Sequence, residues 1–172
     1  MKILNIVQNF MGEQALNQLD EHTGSVTFPW YFQREDQPYE DRCDMFHKVY
    51  SNDTWVTDGY TKDMLSYPIN MINPVAFLDI RLQNYVVPVN SPTMFHAYNQ
   101  GLLHGNDTVS VALLMLDNCR GSLIVDAKEQ LNTPIESNTL VLFKATTQFR
   151  FKLDVAQKFC RVVKIVFVQG SD

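Results

Sequence analysis

The chain has 172 residues, a net charge of -5 and 45% hydrophobic residues, enough for one real hydrophobic core in a single domain spanning residues 1–172. The acidic balance argues against a general nucleic-acid binder, which needs a basic face to neutralise phosphates. No apolar run approaches the roughly 20 residues that span a bilayer, and the N-terminus lacks the apolar region and cleavage site of a signal peptide.

Three widely spaced cysteines, Cys43, Cys119 and Cys160, with no CxxC read as reduced thiols. The expectation is a soluble protein of the cytoplasm, or a component of something assembled inside a cell, with no membrane and no nucleic-acid partner.

Residues 3–7 predict a short opening strand. Residues 12–20 predict a helix, with Met11, Ala15, Leu16 and Leu19 on one face and Thr23-Gly24-Ser25 stopping it. Residues 26–33 (VTFPWYFQ) contain Pro29 and belong at a sheet edge or in an extended segment. Their aromatics, Phe28, Trp30, Tyr31 and Phe32, read as the edge of a core rather than as a binding platform. Residues 34–44 are dense in charge and predict a solvated loop.

Residues 45–50 (MFHKVY) alternate as a strand does, and Asn52-Asp53 turns it. Asp58 is placed to cap a helix over residues 59–67. Pro68 is placed to open a further turn over 69–72, which Asn73-Pro74 ends. Residues 75–89 are the longest strand candidate. Ala76, Leu78, Ile80 and Leu82 share one face of it, and Phe77, Asp79, Arg81 and Gln83 share the other. A face mixing Asp, Arg and Gln beside apolar neighbours suits a polar cavity.

Residues 91–126 hold His96, His104 and the longest apolar run, 109–116, followed by a hairpin turn at 117–121 and a second apolar strand. Residues 138–144, 148–153 and 159–168 predict further strands. Two helices followed by some eight strands define an α+β layout, a double-sheet roll with the front helices packed outside it.

Chemistry is harder to read. Two histidines and a carboxylate make a facial iron triad, and the candidates are His96, His104 and Asp107, with Asp126 and Glu129 further along. The interval from His104 to Asp107 falls in a predicted loop, so the plainer reading makes His104 a surface residue and His96 a strand residue. There is no GxSxG elbow and no phosphate-cradling glycine loop. Cys119 falls in a turn, where it is expected to be exposed, and Cys160 falls in an apolar strand as a packing residue. Arg150 and Arg161 stand in strands, where charge is paired, meets a ligand or alternates outward. Arg150, between Phe149 and Phe151, fits the outward alternation.

The order FPWYF, FHKVY, YPINMINPVAFLDIRLQNY, LLMLDNCRGSLIVD and RVVKIVF, over residues 27–167, resembles the phage-encoded, prolyl-hydroxylase-like 2-oxoglutarate/Fe(II)-dependent oxygenases. The resemblance implies a double-stranded β-helix, or jelly roll, with iron between its two sheets. In that family a His-x-Asp pair and a later histidine hold the metal, and an arginine on the last strand grips 2-oxoglutarate. Carried onto this chain, His96 falls at the first histidine, Tyr98 replaces the carboxylate, Arg150 replaces the second histidine, and Arg161 matches the co-substrate arginine. No histidine follows His104.

The resemblance therefore implies a degenerate member lacking most of the metal triad. It would be a non-catalytic phage accessory, interaction or virion structural module without a cofactor, working through a protein partner or self-assembly. One alternative is an active Fe(II)/2-oxoglutarate-dependent hydroxylase whose remodelled site uses His96 with His104 and Asp107 or Asp126. Another is a metal-free binder of a small carboxylate through Arg150 and Arg161.

Overall fold

A computed structural model describes residues 4–32, 45–84, 108–126, 131–145, 147–153 and 160–169. The elements run β1 (Leu4–Gln8), α1 (Glu13–Gly24), β2 (Tyr31–Phe32), β3 (Met45–Ser51), β4 (Thr54–Trp55), α2 (Gly59–Ile72), β5 (Ala76–Asn84), β6 (Thr108–Met115), β7 (Cys119–Asp126), β8 (Leu131–Ile135), β9 (Thr139–Lys144), β10 (Gln148–Leu153) and β11 (Arg161–Gln169). The expected charged loop at 34–44 lies outside the described residues, as does the end of the strand expected to run to 89.

The strands form two sheets, and all described pairings are antiparallel. The larger runs β1-β9-β6-β11-β5-β3-β2, with β4 attached to β3, and the smaller runs β10-β7-β8. Two hydrophobic layers result. One lies between the sheets, where Val111, Leu113 and Val162 meet Leu123, Val125 and Phe149. The other lies on the opposite face of the large sheet, where Ile80, Leu114, Val163, Ile165 and Phe167 meet Leu19 of α1 and Leu65 and Ile69 of α2. The fold is thus an α+β roll with both helices outside the sheets, as the alternation in the sequence predicts. Among the described residues no helix is long and apolar enough to cross a membrane.

The helices end where local chemistry ends them. Asp58 accepts a hydrogen bond from the Thr61 amide at 2.9 Å, the N-cap arrangement, and Asn73 closes α2 in the left-handed region at φ 51°. Pro68 does not start a second turn; it sits within a continuous α2. Its missing N–H removes one helical bond, and burial of Leu65 and Ile69 on either side against the sheet holds the helix through it. The first helix also continues past its expected stop, through Thr23 and Gly24 to a cap at Ser25. Thr23 is fully buried and gives its hydroxyl hydrogen to the Leu19 carbonyl at 2.8 Å.

The predicted turn at 117–121 is shorter than expected, because Cys119, Arg120 and Gly121 already belong to β7. Gly121 lies in a bulge at φ 144°, where an added Cβ would stand 2.1 Å from the Lys152 carbonyl oxygen. The strand β8 was not predicted. It contains Pro134, and it lies at the edge of the small sheet, where a missing donor is tolerated.

Candidate functional site

Alternation along the large sheet decides which polar residues enter the interior. In β11, Val162 and Val166 belong to the inter-sheet layer, while Val163, Ile165 and Phe167 belong to the helix-side layer. Lys164 therefore points between the sheets and Arg161 toward the helices. Lys164 is 4% exposed. It stands opposite Leu113 of β6 on one side and Arg81 of β5 on the other. Arg81 in turn stands opposite Lys48 of β3.

Three cations thus form a row across adjacent strands on the inner face, about 4.8 Å apart from strand to strand. The row grades from exposed Lys48 through half-buried Arg81 to buried Lys164. Asp79, itself buried, meets Arg81 with its Oδ2 2.8 Å from the guanidinium Nε, and buried Gln83 lies one step further along the same face. Like charges directly opposite one another on a sheet repel.

The polar face anticipated on β5 is therefore present and turned inward, with one local change. The register slips between Val166 and Phe167, which exchanges two neighbours: Leu78 joins the inter-sheet layer and Phe77 the helix-side layer. Lys164 was not anticipated. Its signal is a lone lysine in the apolar run RVVKIVFV, two residues from a valine on each side of its own face.

The two arginines expected to form an anion pocket are not brought together. Arg161 is 6% exposed on the helix side. Its Nε donates to Asp117 Oδ2 at 3.0 Å, its Nη2 to Asp117 Oδ1 and Asp20 Oδ1, and its Nη1 to the Asp20 carbonyl and Thr23 Oγ1, both at 3.0 Å. Its backbone amide also donates to Asp117 Oδ2, at 2.6 Å. Burial alone would lower the Arg161 pKa, but the hydrogen bonds and charges of Asp117 and Asp20 hold it above the ordinary value. The residue matched to the co-substrate arginine is a clamp joining α1, the β6–β7 turn and the start of β11.

Arg150 alternates with Phe149, Phe151 and Leu153, which face the inter-sheet layer. It therefore stands on the outer face of the small sheet, opposite Ile124, as the outward reading of its neighbours predicts.

His96, Tyr98, His104, Asp107 and Glu129 lie outside the described residues. Asp126 ends β7 opposite Gln148. Among the described residues no group of three His, Cys, Asp or Glu side chains is arranged to hold a metal ion. The described donor set does not fit Fe(II). The inner face presents ammonium and guanidinium groups that repel a cation, and the position matched to the second histidine holds an outward arginine.

Cys119, expected in an exposed turn, is 8% exposed and shares the inter-sheet layer with fully buried Cys160. Donation of the Cys160 S–H to Cys119, together with burial, pushes the Cys160 thiol up, which makes it an unreactive core group.

No family model matches this sequence, and no curated protein matches it. Solved structures do. The fold is similar to a prolyl hydroxylase from Trichoplax adhaerens, solved with a hypoxia inducible factor peptide, at TM-score 0.68 and 10% identity over 98% of this chain and 84% of that one. It is also similar to a Pseudomonas putida prolyl-4-hydroxylase, at TM-score 0.58 and 14% identity over 98% and 94%. A third is the non-heme α-ketoglutarate-dependent carbocyclase SnoK from nogalamycin biosynthesis, at TM-score 0.71 and 11% identity over 97% and 79%. This chain has the fold of the 2-oxoglutarate-dependent oxygenases.

Proposed function

We propose that this protein is a non-catalytic derivative of the oxygenase fold whose inter-sheet interior binds a small carboxylate without a metal. The observation that carries the reading is Lys164, buried on the inner face in register with Arg81, with Lys48 at the exposed end of the row. Ammonium and guanidinium groups side by side on one face of a sheet suit the binding of a carboxylate by charge-assisted hydrogen bonds. The graded exposure gives a carboxylate an approach from the β3 side. This relocates the anion site from Arg150 and Arg161 to Lys164 and Arg81.

A facial triad is not recoverable at the positions matched by sequence, because no histidine follows His104. The phage accessory or virion role, and a protein partner or self-assembly, rest on the sequence resemblance.

Calorimetric titration with 2-oxoglutarate and with succinate, each with and without Fe(II), tests the carboxylate reading. Binding should be independent of Fe(II) and weaken at least tenfold in Lys164→Met. No heat at millimolar ligand overturns the carboxylate reading, and binding that requires Fe(II) overturns the metal-free one. Co-purification with virions or with a single host protein tests the role; a solitary monomer that binds nothing defeats it.

A further inference from the structure

Helix α2 carries two apolar faces, where a helix lying on a sheet needs one. The first, with Leu65 and Ile69, is buried against the large sheet. The second comprises Tyr60, Met64, Tyr67 and Met71, at intervals of four, three and four residues, the spacing of a coiled-coil seam. Tyr60, Tyr67 and Met71 are 60%, 55% and 50% exposed, and Met64 is half-buried. No charge interrupts the stripe. Lys62, the lysine of α2, lies over the Trp55 ring on the other side of the helix, 5.4 Å from the ring centroid. Tyr60 meets the His22 ring of α1 edge to face, with centroids 4.9 Å apart, so one end of the stripe is held in place.

The order of residues along the stripe is its own complement. Turned end over end about a point between residues 65 and 66, the helix sets Tyr60 opposite Met71 and Met64 opposite Tyr67. Two antiparallel copies therefore place a methionine against an aromatic ring at all four positions, a contact that the polarisable sulfur favours. Asp63 and Asn70, seven residues apart on one flank of the stripe, meet across the same axis, an acceptor beside a donor, and no like charges are opposed.

We infer that a second copy of this chain docks on the exposed stripe of α2, with the two helices antiparallel across a two-fold axis. The stripe offers roughly 400 Å² of apolar surface per copy. With its polar flank, a symmetric pair buries about 1,000 Å² in total, the lower end for a specific interface. That area holds a concentration-dependent dimer rather than an obligate one. The stripe lies on the helix side of the large sheet, away from Lys164 and Arg81, so dimerisation and carboxylate binding stand or fall separately.

Sedimentation equilibrium of the full chain, from micromolar to millimolar concentration, should show monomer and dimer exchanging with a Kd on the order of 100 μM. Tyr67→Glu puts a carboxylate into the seam from both copies and should weaken the dimer at least tenfold, with circular dichroism checking the fold. A wild type that stays monomeric at millimolar concentration overturns the inference, and so does a dimer that Tyr67→Glu leaves unchanged. Capture of a different protein on the stripe by a chain that stays monomeric overturns it too, by assigning another occupant. Asp63→Cys and Asn70→Cys, at exposed positions and each in a Cys43→Ser background, give an independent reading should Tyr67→Glu fail to fold. Mixed under mild oxidation, the two should crosslink to each other faster than either does to itself; no preference for the mixed crosslink refutes the antiparallel pairing.

Discussion

Replacing Arg161 by Met separates its two competing roles. Met preserves much of the aliphatic stem and removes the guanidinium, leaving Asp117 (side chain 16% exposed) with the backbone amide of residue 161 but without its cation, and buried Thr23 without the guanidinium donor, while Asp20 at 51% exposure turns to water. The Asp20 arm is worth at most about 1 kcal/mol because solvent screens it. Removing one partner of a buried pair costs about 3–5 kcal/mol, and the partial exposure of Asp117 places this case near the lower bound. A loss of about 3 kcal/mol is expected, which for a chain of this length lowers Tm by about 6–12 °C.

Urea denaturation followed by circular dichroism, run without any ligand, measures it. A loss below about 1 kcal/mol refutes the clamp. Had Arg161 instead gripped a ligand carboxylate, the ligand-free variant would keep its stability and lose only binding. Asp117→Asn combined with Arg161→Met should cost less than the sum of the two single changes, since each alone already breaks the pair.

Three further outcomes follow from local geometry. Gly121→Ala should destabilise by more than about 2 kcal/mol in chemical denaturation, since φ 144° disfavours any Cβ and the Lys152 carbonyl occupies its place. Asn138→Ala should cost about 2–3 kcal/mol: its side chain accepts from the Met11 amide at 2.7 Å and donates to the Met11 carbonyl at 2.8 Å, in a left-handed backbone at φ 62°. Asp58→Ala should cost about 1 kcal/mol as a lost N-cap. Because the Asp58 carboxyl is held down to about 2, its contribution is present above about pH 4 and lost as pH falls toward 2. Asp58→Asn should flatten that part of the stability–pH curve, and a melting series from pH 4 to pH 2 reads the difference.

The architecture was legible because burial on a sheet has a period of two and burial on a helix one near four. The runs at 109–116 and 159–168 are apolar on both faces, and both faces of β6 and β11 are indeed covered, one by the small sheet and one by the helices. The polar face of β5 was legible for the same reason. What alternation does not give is phase. Whether odd or even residues of β11 enter the interior depends on how the strand meets its neighbours: Val162 and Val166 enter it, and Arg161 lies on the helix side. A one-residue change in phase moves every side chain to the other face. Pro68 within α2 was misjudged, and β8 with its Pro134 was missed, for a different reason, since tertiary packing and an edge position outweigh the local cost of a missing donor.

The same phase argument separates the two faces of the large sheet. Strands β6 and β11 are held by two apolar layers, so the core constrains nearly every position of both without reference to any ligand. Polar residues in such strands are tolerated only where something answers their charge. On the helix side, Arg161 is answered by Asp117 and Asp20. On the inner side, Lys164 and Arg81 share the space between the sheets, with Asp79 beside Arg81. On the proposed reading, that inner row attracts a carboxylate by the Coulomb term. Lys164→Met therefore distinguishes the two possible roles of the inner row. A purely structural lysine leaves Met destabilising and carboxylates without effect, whereas a binding lysine leaves the variant folded but at least tenfold weaker in carboxylate binding.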